Sequence, residues 1–225
     1  MSRFKVLSTA AALGFAVCIA CAQTTVTNTF ANLNKVIPDG QATGLSDTEN
    51  LTFAPGLNSI SSLQVTLTIA NGYNGDFYAY LVHDGGFSVL LNRVGRTGNN
   101  SLGYGDAGMA VTFSASGHDI HQYQSFSPIY NGDQLTGSWA PDGRYVDPEF
   151  VLDSDSQTAL LGSFNGTDPN GAWTLFLADL DFGEQGTLVN WGVIVTAAPE
   201  PSTWTLLGLG GLTLGMRLLR RRSLR

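Results

Sequence analysis

The chain has 225 residues, of which 13% are charged, and a formal net charge of −7 at pH 7. Between residues 23 and 198, four basic side chains stand against 17 acidic ones, a net charge of −13 that would repel the phosphates of nucleic acid. Both cysteines, Cys18 and Cys21, lie near the N-terminus, so this stretch contains neither disulfides nor catalytic thiols and must be stabilised by its own core.

Residues 1–22 have the pattern of a secretory signal peptide. Arg3 and Lys5 precede an apolar run over residues 6–19, and small residues surround a cleavage site after Ala22. The run is too short to be a good membrane span. The pattern favours cleavage after Ala22 over lipid attachment at Cys21, and either route implies an exported protein.

Residues 23–198 predict one all-β domain. Apolar and polar residues alternate strictly over residues 63–69, which is the period of a half-buried strand. The turn signal Asp84-Gly85 lies between two short apolar segments and predicts a hairpin. Further strands are predicted over residues 110–113, 172–178 and 188–195, the last two as a final pair joined by a Gly-rich turn.

Gly, Asn, Asp and Pro clusters separate these strands, as is typical of a β-sandwich or jelly roll. Residues 114–161 are the least regular part, where we expect long loops and one helical turn near residues 158–161. Trp173 and Trp191 are expected to fill the core between two sheets.

The end of this domain carries a specific series of motifs. Residues 161–175 contain Phe-Asn-Gly and then Asn-Gly-Ala-Trp-Thr-Leu, and residues 186–188 contain Gly-Thr-Leu before the strand with Trp191. This series resembles the P domain, also called the Homo B domain. Weaker similarity is found in earlier segments: residues 37–39, 56–69, 73–81, 89–95 and 105–107.

The resemblance implies a jelly-roll β-sandwich of the galactose-binding-like type. In that family the domain usually follows a subtilisin-like serine protease and supports its folding. It also occurs without a protease in bacterial surface proteins. The chain has no room for such a catalytic domain and has no Gly-x-Ser-x-Gly motif, so we expect it not to be an enzyme.

The histidines offer weak metal or catalytic candidates. His118 and His121 could place two imidazoles near one metal, but no third ligand has a recognisable spacing. We expect both to be solvated loop residues and His83 to belong to a turn.

Several carboxylates are candidate calcium ligands, because Gly/Asn/Asp loops supply the oxygen ligands that calcium prefers. Asp76 and Asp106 lie where the P-domain pattern also carries acids. Two further groups are Asp153 with Asp155, and Asp179 and Asp181 with Glu184. The alternative for all of them is a role as turn formers and solubilising charges.

Residues 199–225 combine three features in order. Pro199, Glu200 and Pro201 precede an apolar run over residues 205–216, and a basic tail follows. The arginines of that tail are Arg217, Arg220, Arg221, Arg222 and Arg225. This closely resembles the PEP-CTERM sorting signal of exopolysaccharide-producing Gram-negative bacteria, which implies recognition by an exosortase, a membrane protease-transpeptidase.

The physical properties of this segment agree with that resemblance. The apolar run is near the lower limit for a transmembrane helix, and the arginines would stay cytoplasmic. The segment would anchor the chain in the inner membrane before release to the cell surface or medium. An ordinary tail anchor is the alternative.

Three functional classes remain open. The first is a non-catalytic surface or matrix protein that acts through adhesion or structure. The second is a module that binds calcium or polysaccharide, with exopolysaccharide or other envelope proteins as partners. The third is an accessory to a separately encoded subtilisin-like protease.

Overall fold

The computed structural model describes residues 23–199 and residue 210. The predicted signal peptide, Glu200, Pro201, the apolar run apart from Gly210, and the five tail arginines lie outside the described residues. Within the described part, no helix has the length and apolar character needed to cross a membrane. The strands are β1 (Thr24–Phe30), β2 (Lys35–Val36), β3 (Gln41–Leu51), β4 (Leu57–Tyr73), β5 (Phe77–His83), β6 (Gly86–Asn92), β7 (Ala107–Asp119), β8 (Ile129–Asn131), β9 (Gln134–Ala140), β10 (Gly171–Asp179) and β11 (Thr187–Pro199).

These strands form two sheets, as the all-β prediction requires. The larger sheet has the order β1-β11-β4-β7-β9-β8, with β2 also paired to β11. The smaller sheet has the order β3-β10-β5-β6. Only β7 and β9 pair in parallel among the described strands; the other pairs are antiparallel.

The predicted hairpin is confirmed as β5 and β6, with His83 opposite Gly86. Its two turn residues, Asp84 and Gly85, have φ values of 42° and 79°. Positive φ at both positions is the geometry that an Asp-Gly turn supplies most readily, because it matches the twist of the flanking strands.

The predicted final pair of strands exists, but its two members do not pair with each other. Instead, β10 lies in the four-stranded sheet and β11 in the seven-stranded sheet. The glycine-rich connection between them therefore crosses from one sheet to the other. Alternation gives each strand an apolar face but does not say which sheet it joins.

The apolar faces of the two sheets form one core. Trp173 on β10 and Trp191 on β11 are both fully buried, as predicted. Trp191 Nε1 donates to Asp47 Oδ2 on β3 at 2.6 Å, so its hydrogen bond joins the two sheets. The same carboxylate pairs with Lys35.

Residues 114–161 are more ordered than the sequence predicts, because they include the end of β7 and all of β8 and β9. The strand β9 has little alternation and contains Gly137 at φ 106°, so its pattern is weak. The expected helical turn is the 3₁₀ turn Leu161–Phe164, slightly later than predicted. Two other 3₁₀ segments, Asn74–Asp76 and Ile120–Phe126, lie in loops.

Candidate functional site

Three loops meet at one end of the sandwich and enclose a hollow of about 350 Å³. The first precedes β5, the second joins β6 to β7, and the third joins β10 to β11. A concave surface that combines apolar groups with a few polar ones is the usual form of a ligand site. The hollow is lined by Tyr73, Asp76, Asn100, Leu102, Gly103, Tyr104, Gly105, Asp181 and Phe182.

Main-chain contacts fix the shape of this hollow. Gly75 N donates to Tyr104 O at 2.8 Å, and Leu180 N donates to Asp76 O at 2.9 Å. Gly75 has to lack a side chain, because a Cβ there would lie 2.4 Å from Leu102 O. The first loop is therefore held directly against the second and the third.

Two carboxylates of the wall share one guanidinium. Arg93 Nη2 lies 3.5 Å from Asp76 Oδ1 and 3.3 Å from Asp181 Oδ2. Burial raises the pKa of Asp76 to about 6; Arg93 opposes this shift, whereas Asp181 and Asp39 add to it. Arg93 therefore does not offset the combined effect of burial and the neighbouring carboxylates on Asp76.

Asp179 adds a further acid at the end of β10. It lies opposite Phe77 in the sheet, is 1% exposed, and receives no hydrogen bond on either oxygen from the described residues. Burial, followed by the charges of Asp76 and Asp39, raises the pKa of Asp179 to about 7. The backbone amides of Asp181 and Gly186 face the carboxylate and lower this pKa, but they do not reach hydrogen-bonding geometry.

The rim of the hollow is apolar and exposed. The exposed fraction is 81% for Phe182, 65% for Leu102 and 40% for Tyr73. Tyr104 is more buried, with its ring packed edge-on against Tyr123 at a centroid distance of 4.6 Å. The hollow therefore offers aromatic and aliphatic walls above a group of carboxylates.

Asp106 lies in a neighbouring hollow of about 420 Å³, which shares Gly105 with the first. Asp106 Oδ2 accepts hydrogen bonds from Tyr123 Oη at 2.6 Å, Gln124 Nε2 at 2.8 Å and Tyr130 Oη at 3.2 Å. Burial and the charge of Asp106 raise the pKa of Tyr130 to about 12, so its hydroxyl stays a donor.

The two predicted calcium ligands, Asp76 and Asp106, thus line different hollows. Arg93 faces Asp76, and three donors occupy one oxygen of Asp106. Within residues 23–199 and at residue 210, no three acidic or histidine side chains form a group that could hold a metal ion. These arrangements fit a calcium ion shared by the two aspartates poorly, because calcium takes six to eight oxygen ligands.

The other predicted acid groups have different roles. Asp155 Oδ2 accepts a hydrogen bond from Leu152 N at 2.8 Å, the contact of a turn former. Asp153 offers its backbone carbonyl oxygen to Arg144 Nη2 at 2.8 Å. Glu184 is exposed and does not line the hollow.

Two histidine predictions are wrong. His121 is fully buried, with Nδ1 2.7 Å from Asp142 Oδ2 and Nε2 2.8 Å from Arg96 O. Burial alone would lower the pKa of His121, but the contacts with Asp142 and the Arg96 carbonyl oxygen outweigh it and raise the pKa. His118 is exposed, as predicted, but it lies near the end of strand β7 rather than in a loop, and its ring stacks on Phe126.

His83 is the last residue of β5 and is buried, not a turn residue as predicted. Its ring nitrogens lie 2.9 Å from Ala172 O and 2.6 Å from Asp168 O. The ring stacks on Trp173 with a centroid distance of 3.9 Å. The side chain therefore ties the hairpin to the loop before β10.

The structure brings together residues that the sequence treated separately. Asp76 and the pair Asp179 and Asp181 belonged to different predicted groups. Arg93 and Phe182 were missed altogether. Arg93 is one of only four basic residues in a strongly acidic stretch, and Phe182 is an apolar residue in a glycine-rich turn, so both carried a signal.

No protein-family model matches the chain, and no curated protein matches it in sequence. Among solved structures, the crystal structure of the Aeromonas sobria serine protease in complex with the chaperone ORF2 is similar with a TM-score of 0.45 and 15% identity. The similarity covers 79% of this chain and 27% of that chain. The crystal structure of the Aeromonas sobria serine protease is similar with a TM-score of 0.43 and 14% identity. That similarity covers 78% of this chain and 27% of the protease chain. This chain thus spans about a quarter of the proteins it resembles in structure.

Proposed function

We propose that the chain is an exported, non-catalytic surface or matrix protein whose sandwich is a jelly-roll binding module of the P-domain type. The observation that carries the binding role is the hollow at the loop end, with its exposed rim of Phe182, Leu102 and Tyr73 above Asp76 and Asp181. Exposed apolar side chains around a concave polar surface are typical of recognition sites.

The buried histidines support the absence of catalysis. The ring nitrogens of His83 face backbone carbonyl oxygens, and those of His121 face Asp142 and a carbonyl oxygen. Neither ring is therefore available to a serine hydroxyl as a general base. Ser163 Oγ instead bonds the backbone of Phe87.

The terminal segments support delivery to the envelope. Moving an arginine to the bilayer centre costs about 2.5–3.5 kcal/mol, so a tail with five arginines would stop transfer. Pro199, Glu200 and Pro201 would then stand outside the inner membrane in an extended form that a protease can reach. An exosortase-type enzyme would cut near this motif and release the domain or transfer it to another anchor.

Mass spectrometry of the native protein from fractionated cells tests this proposal. We expect the product to start after Ala22 and to lack Arg225. Glu200→Ala should accumulate as the uncut membrane form, whereas Glu184→Ala, an exposed acid within the domain, should be processed normally. Wild-type protein that retains Arg225 in the inner membrane would reduce the segment to a tail anchor.

The same purified protein tests the absence of catalysis. We expect no cleavage of a panel of peptides. Peptide cleavage that disappears on substitution of a serine or histidine would overturn the non-catalytic assignment. Stable copurification with a serine protease would instead favour the accessory function over an independent surface role.

A further inference from the structure

We propose that the loop-end hollow binds the basic side chain, lysine or arginine, of a partner polypeptide. This inference rests on the proposed binding function and names the ligand of the same hollow.

The carboxylates around the hollow outnumber the cations. Asp76 and Asp181 line it, and Asp39 adds negative charge at Asp76 and Asp179. Arg93 contacts both wall carboxylates, and Arg96 interacts with Asp181 without an ion-pair contact, so four carboxylates face two cations among the described residues. The contacts of Arg93, at 3.5 and 3.3 Å, are longer than the 2.7–2.9 Å typical of charge-assisted hydrogen bonds. Asp76 and Asp181 therefore keep acceptor capacity for a second cation.

Asp179 adds buried negative charge next to the hollow. This carboxylate is 1% exposed, and the backbone amides of Asp181 and Gly186 face it without reaching hydrogen-bonding geometry, so no cation among the described residues pairs with it. The charge that acts on it most strongly is that of Asp76, which lines the hollow. A cation held at Asp76 would therefore also stabilise ionised Asp179.

The rim selects an organic cation over a metal ion. Phe182, Tyr73 and Leu102 present apolar surface, which contributes no ligand to a metal but can cover the methylene stem of lysine or arginine. Aromatic rings also attract ammonium and guanidinium groups. A neutral ligand would cover the apolar rim but would leave the negative charges of the carboxylates without a positive counter-charge.

A polypeptide is the source that best fits the domain as a whole. The body of the chain carries a net charge of −13, so a basic partner would be attracted from a distance and a polyanion repelled. The hollow, about 350 Å³ in volume, then provides a place for one side chain at the end of that approach.

The test is calorimetric titration of the processed protein purified from cells. The probes are Nα-acetyl-arginine amide and Nα-acetyl-lysine amide, with Nα-acetyl-norleucine amide as the uncharged control and calcium chloride as the metal control. We expect both basic amides to bind and norleucine amide to bind at least fivefold more weakly.

Phe182→Ala should weaken binding of the basic amides about threefold through the lost ring contact. Asp181→Asn should weaken it at least fivefold.

Two exposed residues outside the hollow provide matched controls. Phe150→Ala and Asp84→Asn should leave the affinity of the basic amides unchanged, since neither lines the hollow and Asp84 lies at the opposite end of β5 from Asp76. Equal binding of norleucine amide, equal affinity in Phe182→Ala and Asp181→Asn, or binding of calcium in place of the amides would overturn the proposal. If the tail is processed normally but the basic amides do not bind, the inference about the ligand is wrong and the sorting proposal stands. If the chain stays unprocessed but binds the amides, the sorting proposal is wrong and the inference about the ligand stands.

Discussion

The core between the sheets and the irregular segment over residues 141–160 are both anchored by buried side chains, but the segment buries charged side chains in addition to Val151 and Ala159. In the core, Trp173 and Trp191 pack among aliphatic side chains. In the segment, Arg144 and Asp142 are buried and pair with each other and with residues outside it. The backbone N–H and C=O groups of strands are paired within the sheets, so apolar side-chain contacts are enough to bury them. A segment without strand pairing can be buried only if its polar groups find other hydrogen-bond partners.

The segment also protects an edge strand. Gly143 N donates to Val89 O at 2.9 Å, and Val89 N donates to Ala159 O at 3.0 Å. The strand β6 is the last in the four-stranded sheet, and these bonds occupy part of its free edge. Covering an edge in this way prevents it from pairing with another chain.

Two buried aspartates, Asp142 and Asp179, differ most clearly in the number of hydrogen bonds that their carboxylates accept. Asp142 accepts hydrogen bonds from Asn92 N, His121 Nδ1 and the Arg144 side chain and backbone. Asp179, in the regular part of the fold, has no such donor among the described residues. The carboxylate of Asp142 is thus better satisfied than that of Asp179, although Arg144 Nε in the irregular segment also lacks a partner among the described residues.

The largest effect is expected from Trp191→Ala, which removes one of the largest side chains of the core. Truncation of a buried tryptophan costs roughly 3–5 kcal/mol in the free energy of unfolding, and here it also removes a hydrogen bond to Asp47. Denaturant unfolding measures the loss. Trp191→Phe should lose less, because it keeps most of the volume. An unchanged midpoint for Trp191→Ala would place the residue outside the cooperative core.

A smaller and more local effect is expected from Arg144→Met. Its guanidinium bonds Asp119 at 2.7 Å and Asp142 at 3.3 Å, and removal of one partner from a buried pair typically costs about 3–5 kcal/mol. We expect about 3 kcal/mol, because the segment can open and let water reach Asp142. Hydrogen exchange should accelerate over residues 141–160 before the sheets. Uniform acceleration in both regions would show that segment and core unfold together.

The sequence predicts the core better than the polar contacts because the two depend on different information. Alternation and the Asp-Gly turn suffice to place β4, the hairpin and both buried tryptophans. The partner of Trp191, by contrast, is Asp47, which is 144 residues away in the chain. His121 was expected in solvent because its Asp142 partner lies in another loop. Asp76, Asp179 and Asp181 come together only because β5 and β10 are neighbours in the sheet.

The smallest effect, and the one that best separates the two aspartates, is the pH dependence of Asp179→Asn. The pKa of Asp179 is raised from 3.8 to about 7, so the folded state binds more protons than the unfolded state between these values. Stability from this group is therefore fully present below about pH 4 and is lost as pH rises through about 7. Asp76, whose pKa is raised to about 6, acts in the same direction.

The amide side chain of the Asp179→Asn variant has no charge to bury, so the substitution should flatten this dependence. A pKa raised from 3.8 to about 7 corresponds to at most about 4 kcal/mol, and the new amide adds its own cost of burial, so we expect about 2 kcal/mol of stabilisation at pH 8. At pH 4, where native Asp179 is protonated, only the burial cost of the amide remains, and the variant should be less stable than the wild type by about 2 kcal/mol. Chemical unfolding at both pH values measures the difference, and Asp142→Asn, which removes a satisfied carboxylate, should destabilise at both. If Asp179→Asn also destabilises at pH 8, a cation already balances Asp179 in the native protein, and the contrast between the two aspartates disappears.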